Sequence, residues 1–93
     1  MWKLVENIDR NTLYQHGFKR HSESSSGIPH CDWYKFINNS RLVCVDNDFV
    51  KQYTVKSIGK KEYFTCECSE TKFIASKVKD LIDAGIIEDI KEG

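Results

Sequence analysis

The chain has 93 residues, 40% of them hydrophobic and 30% charged, with one proline, which fits a single small globular domain over residues 1–93 rather than a disordered tail. Its 14 basic side chains balance its 14 acidic ones, so nothing in the net charge favours nucleic acid or a membrane surface. The longest apolar run, Leu42 to Val45, is far short of the roughly 20 residues that a membrane-spanning helix needs.

Trp2 to Glu6 fits a strand through Trp2 and Leu4, or a helix through Trp2 and Val5. Asp9 then caps a short helix running to Gln15 or His16. Ile8 before the cap and Leu13 at the fourth helical position have the spacing of a hydrophobic staple. Gly17 stands where a left-handed residue closes a helix. Phe18 to Glu23 alternates as a short strand and runs into Ser22-Glu23-Ser24-Ser25-Ser26-Gly27. That polar stretch predicts a flexible loop over about 22–31, which could also order on a partner.

The middle of the chain reads as an antiparallel meander. Asp32 to Ile37 and Arg41 to Val45 are rich in β-branched and aromatic residues and are separated by Asn38-Asn39-Ser40, a hairpin turn. Asp46-Asn47-Asp48 makes the next turn, and Phe49 to Ser57 the next strand. Ile58-Gly59-Lys60-Lys61 predicts a further turn before a fourth strand, Glu62 to Cys68. Ser69-Glu70-Thr71 then offers capping groups to a C-terminal helix. Its apolar stripe is Ile74, Val78, Leu81 and Ile82, and Gly85 ends it, with Ile86-Ile87 folding back on the last turn. The expected fold is α+β: a four- or five-stranded antiparallel meander, a short N-terminal helix, and a C-terminal amphipathic helix on one sheet face.

Alternation divides the meander into two faces, with Trp33, Lys35 and Ile37 on one side of their strand and Tyr34 and Phe36 on the other. Phe64, Cys66 and Cys68 read as inward, Thr65 and Glu67 as outward. The second face is apolar enough to be a partner surface, with candidate residues Trp33, Tyr34, Lys35, Lys51, Tyr53 and Tyr63. The competing reading is that the N-terminal helix covers it.

Four cysteines admit zinc ligation, disulfides, a catalytic thiol or simple core packing. A metal set would draw on His30, Cys31, Cys44, Cys66 and Cys68. Cys66 and Cys68 share a strand face, however, and lie ~6–7 Å apart along it, whereas thiolates on one zinc ion sit ~3.8 Å apart. Buried free thiols are the simpler expectation, because free cysteine behaves as a small hydrophobe. Cys31 beside His30 is the sole catalytic candidate, and adjacency alone does not aim imidazole at sulfur. Phosphate-loop, zinc-protease and nucleophile-elbow patterns are all missing from the sequence.

The neutral total conceals a gradient. Residues 1–30 carry four basic and three acidic groups, residues 31–61 six and three, and residues 62–93 four and eight. The basic stretch supplies Lys51, Lys56, Lys60 and Lys61 beside sheet aromatics, the pattern of a single-stranded nucleic-acid surface. Three functional classes follow. The leading one is a non-catalytic protein-interaction module without cofactor, of the accessory, inhibitor or immunity type, acting on another protein. The others are nucleic-acid binding through those four lysines and a zinc-stabilised domain. Eleven Lys against three Arg fits an AT-rich bacterial or phage genome. The expected compartment is therefore cytoplasmic, the host's if the chain is phage-encoded. Early charges at Glu6, Asp9 and Arg10 interrupt what a signal peptide keeps apolar.

Overall fold

A computed structural model describes residues 1–21, 27–60 and 63–90, with side chains for all of these except 57–60 and 63–66. The chain begins with strand β1 (Trp2–Leu4), which resolves the first ambiguity in favour of a strand. A turn through Asn7, at φ 63°, leads to helix α1 (Arg10–Gln15). Asp9 caps it: the backbone is extended at φ −76° and ψ 138°, and the carboxylate accepts from the Asn11 amide at 3.0 Å. Ile8 and Leu13 both pack into the core, as the staple spacing predicts. At the other end the Gly17 amide donates to the Tyr14 carbonyl and the Phe18 amide to the Leu13 carbonyl. With Gly17 at φ 86°, this is a complete Schellman closure, and Phe18 and Leu13 supply its hydrophobic contact.

Strands β2 (Lys19–Arg20), β3 (Trp33–Asn38), β4 (Arg41–Asp46) and β5 (Phe49–Lys60) follow in antiparallel order. The β3–β4 turn is held by Asn38, whose side-chain oxygen accepts from the amide and the hydroxyl of Ser40. Between β4 and β5 only Asn47 and Asp48 turn the chain, at φ 49° and 68°. Two positive values in a two-residue loop make a type I′ hairpin, whose twist matches that of its strands.

The turn expected at residues 58–61 is displaced. β5 continues to Lys60, Ile58 pairing with Thr65 and Gly59 with Phe64, while residues 61 and 62 lie outside the described set. The start of the last helix moves too. Ser69, Glu70 and Thr71 belong to strand β6 (Tyr63–Thr71), opposite Thr54, Tyr53 and Gln52. Their capping oxygens lose to a continuous ladder, because an available partner strand satisfies backbone groups better than an isolated cap does. Helix begins only at Ala75, as a 3₁₀ turn (Ala75–Val78) running into α2 (Lys79–Asp83). Gly85, at φ 72°, then closes α2 in the same way that Gly17 closes α1. The Gly85 amide donates to the Ile82 carbonyl and the Ile86 amide to the Leu81 carbonyl.

The final strand, β7 (Ile87–Asp89), pairs with β1, and β1 pairs in turn with β5 through Lys3 and Phe49. The sheet therefore has seven strands in the order β2-β3-β4-β5-β1-β7, with β6 beside β5 as well. β1 and β6 share one edge of β5 end to end, and β4 takes the other. β2 falls within the strand expected over Phe18 to Glu23; the strand not foreseen, β7, is three residues long and pairs with β1, remote in sequence.

Both helices lie on one face. Leu13, Phe18, Val78, Leu81 and Ile86 bury Trp33, Val43, Val45 and Val50 there. The other face is covered by chain rather than helix: Ile28 and Cys31 pack over Leu42, Cys44 and Val55, with Tyr34, Tyr53 and Cys68 around them. The N-terminal helix does not cover that second face. β4 is consequently buried on both sides, Leu42 to Val45 each being no more than 3% exposed. Gln52, fully shielded from solvent on the helix side, accepts from Arg41 Nη1 at 2.8 Å and donates to the Ile74 carbonyl at 2.9 Å. No helix among the described residues is long and apolar enough to cross a membrane.

Candidate functional site

The second face carries the candidate site, and the structure divides the residues proposed for it. Tyr34 and Tyr53 do share that face, with Lys51 beyond them: Tyr34 pairs with Cys44, Cys44 with Lys51, and Leu42 with Tyr53. Trp33 and Lys35 point the opposite way and leave the candidate surface. Trp33 is buried beneath α1, with the Tyr14 ring edge-on at 5.1 Å and the Arg20 guanidinium 5.9 Å from its centre. Lys35 passes its stem beneath Gly17 and reaches Asp80 at 3.3 Å. The alternation of β3 already separated these residues from Tyr34, and grouping them by chemical type ran against it. The side chain of Tyr63 lies outside the described set.

Sequence reasoning passed over Phe36, two residues from Tyr34 and on the same face. It stands 43% exposed, edge-on to Tyr34 with ring centres 6.2 Å apart. His21 continues the row, 6.3 Å from Tyr34 and 6.1 Å from His30. Four rings thus run across the face, perpendicular pair by perpendicular pair. This is the arrangement aromatic quadrupoles favour, and it holds the rings without filling the space around them. Lys51 and Glu70 face each other at 3.6 Å, both more than half exposed. The signal for Phe36 was its period-two relation to Tyr34.

Beneath the rings lie the thiols. Cys31 and Cys44 are packed in the same buried cluster, close enough for their thiols to perturb each other. The Cys44 thiol beside it holds the Cys31 thiol below the ordinary range. The same contact, together with burial, pushes Cys44 well above it. Tyr53 is also raised, chiefly by burial. Cys68, read as inward, is half-buried on this second face, opposite Val55.

Of the proposed metal ligands, then, the structure joins Cys31 to Cys44. Cys68, opposite Val55, packs at the margin of the same cluster. His30 is exposed on the covering segment, and the Cys66 side chain is outside the described set. Among the described residues, no group of three or more His, Cys, Asp or Glu side chains is placed to hold a metal ion.

The proposed basic surface also separates. Lys51 is on the ring-bearing face, whereas Lys56, opposite Glu67, lies on the other side of β5. The Lys60 side chain and all of Lys61 fall outside the described residues. An open cleft beside β1 is lined by Lys3, Glu6, Asn7, Asp48 and Glu88 among others and contains neither cysteine nor histidine. Comparison with known proteins finds no match: no family model fits the chain, and no curated protein or solved structure matches it significantly.

Proposed function

We propose that this chain is a non-catalytic protein-binding domain that docks a partner protein on the Tyr34, Phe36 and Tyr53 face of its sheet. One observation carries this reading: a phenylalanine ring, 43% exposed, stands on an ordered sheet face within a row of aromatic side chains. Rigid aromatic rings bury much area for little lost freedom, which is why they dominate interface energetics. Lys51 and Glu70 supply a mixed-charge margin suited to the polar rim of such a contact. The absence of a catalytic role is part of the proposal: the thiols with displaced protonation are 4% and 3% exposed, out of reach of a substrate. Within this class we favour an accessory, inhibitor or immunity-type protein of bacterial or phage origin.

The test is affinity capture with three forms of the chain: unaltered, Phe36→Ser, and Lys77→Ser on the helix side. A partner held stoichiometrically by the first and third and at least ~10-fold more weakly by Phe36→Ser supports the proposal. Equal capture by all three forms, or binding only to a polyanion at low salt, rejects it.

A further inference from the structure

Cys31 and Cys44 are held by two differently secured pieces of backbone. Cys44 is central in β4, paired with Tyr34 on one side and Lys51 on the other. Cys31 lies outside any strand, on the segment that lies over the second face, and the chain next to it is anchored where the Asp32 amide donates to the Val45 carbonyl at 2.8 Å. The two side chains nonetheless meet, 4% and 3% exposed, in a pocket completed by Leu42, Val55 and Ile28. A thiol–thiol contact is weak, and two small apolar residues would fill this pocket as well. What two cysteines add is the capacity for a covalent bond between the covering segment and the sheet.

We propose that Cys31 and Cys44 are a reversible disulfide pair that fastens the 27–32 segment onto the second sheet face. The oxidant is a low-molecular-weight disulfide, RSSR. The Cys31 thiolate attacks one of its sulfurs, forming Cys31–S–S–R and expelling RS⁻. The Cys44 thiolate then attacks Cys31 Sγ, forming the Cys31–Cys44 bond and expelling the second RS⁻. The two thiol protons leave with the two RS⁻ groups as RSH; the protein loses two electrons and RSSR gains them. Cys31 is the first nucleophile because it lies outside any strand, on the segment that lifts, whereas Cys44 stays fixed in β4 between two paired strands. Burial of both sulfurs makes that lifting a necessary step, so the pair reacts more slowly than an exposed thiol.

The bond would close the 31–44 loop of 14 residues, restricting the unfolded chain. The full chain is incubated in glutathione buffers of increasing oxidised fraction. Free thiols are then counted by alkylation, the linkage is mapped in peptides, and thermal unfolding is recorded. The expected result is loss of two of the four thiols, a Cys31–Cys44 linkage without retained glutathione, and a melting temperature about 10 °C higher that reverts with dithiothreitol. Cys31→Ser and Cys44→Ser should each abolish the shift, and the double variant Cys66→Ser/Cys68→Ser should retain it. A linkage mapped to Cys66 and Cys68, a persistent glutathione adduct on Cys31, or a Cys31–Cys44 bond that leaves the melting temperature unchanged overturns the proposal. None of these readouts depends on a partner protein.

Discussion

Replacing Gln52 with leucine tests how the sheet holds the last helical segment. Gln52 is fully shielded, and each end of its amide has one partner, Arg41 Nη1 at 2.8 Å and the Ile74 carbonyl at 2.9 Å. Leucine nearly conserves the volume, so little cavity forms and the cost falls on the hydrogen bonds. Arg41 loses a charge-assisted bond, ordinarily about 1.5–3 kcal/mol, but it is half-buried and can turn toward water, which places its loss near the lower end. The Ile74 carbonyl, just before the 3₁₀ turn, loses the Gln52 donor and keeps the Lys77 amide, about 1 kcal/mol more at most. Burying leucine instead of an amide returns part of this. The net destabilisation is about 2 kcal/mol, a fall in melting temperature of roughly 8–16 °C for a domain of this size. Urea unfolding followed by the fluorescence of Trp2 and Trp33 measures it, with an unchanged slope expected because the same surface is exposed on unfolding. Amide exchange should also quicken at Lys77, whose amide donates to the Ile74 carbonyl, before global unfolding contributes. A Gln52→Leu chain as stable as the parent would refute this account: Gln52 would then be a tolerated polar residue rather than the tie between sheet and helix.

Two further expectations follow from local chemistry. Gly85→Ala should cost about 1 kcal/mol and lower the melting temperature by roughly 4–8 °C, because the added methyl meets nothing within 4 Å and only the backbone at φ 72° resists it. An unchanged melting temperature would mean that α2 closes without the left-handed residue. Raising the pH should also destabilise the fold. Cys44 and Tyr53 keep their protons above ordinary values, so the unfolded chain ionises first, binds fewer protons, and is favoured as pH climbs from about 9 past 10. Cys31 contributes in the opposite sense at lower pH, because its lowered value makes the native state lose that proton first. In urea titrations across this range, Tyr53→Phe should remove the portion of the loss above about pH 10; the same slope in parent and variant would dissociate Tyr53 from it.

The parts of the fold legible in the sequence are those decided within a few residues. Asp9 and Gly17 bracket α1, Gly85 ends α2, and Asn47-Asp48 tolerate the positive φ their hairpin requires, all through contacts of short sequence separation. The misplaced boundaries are those where a remote strand competes. Ser69 to Thr71 have capping chemistry, but Gln52 to Thr54 present a ladder to them. The same remoteness hides β7, whose strand partner among the described residues is β1, at the far end of the chain. The candidate face was legible in its periodicity but not in its identity. β4 is apolar on both sides, so its pattern cannot say which side the helices take. Lys35 held the missing information only jointly with Asp80, 45 residues away. Once β3 is oriented by that contact, Tyr34 and Phe36 are committed together to the other face.

The same contact bears on what the charge gradient does. The basic segment 31–61 and the acidic segment 62–93 meet on both sides of the sheet: Lys35 with Asp80 on the helix face, Lys51 with Glu70 on the aromatic face. These pairs are too exposed to contribute more than about 1 kcal/mol each. Their consequence is electrostatic rather than energetic. Each face mixes signs at short range, and at physiological ionic strength such a field fades within roughly 8 Å. Among the described residues, therefore, the opposed charges of the two segments do not resolve into a basic side and an acidic side. A polyanion following its phosphates needs a track of one sign, and the described lysines of β5 point to opposite faces. A protein partner has no such requirement. It gains from covering Phe36 and Tyr34, with Lys51 and Glu70 left at the margin to exclude mismatched charge. The aromatic face, with its local charges already offset, is thus suited to association driven by apolar burial more than by long-range attraction.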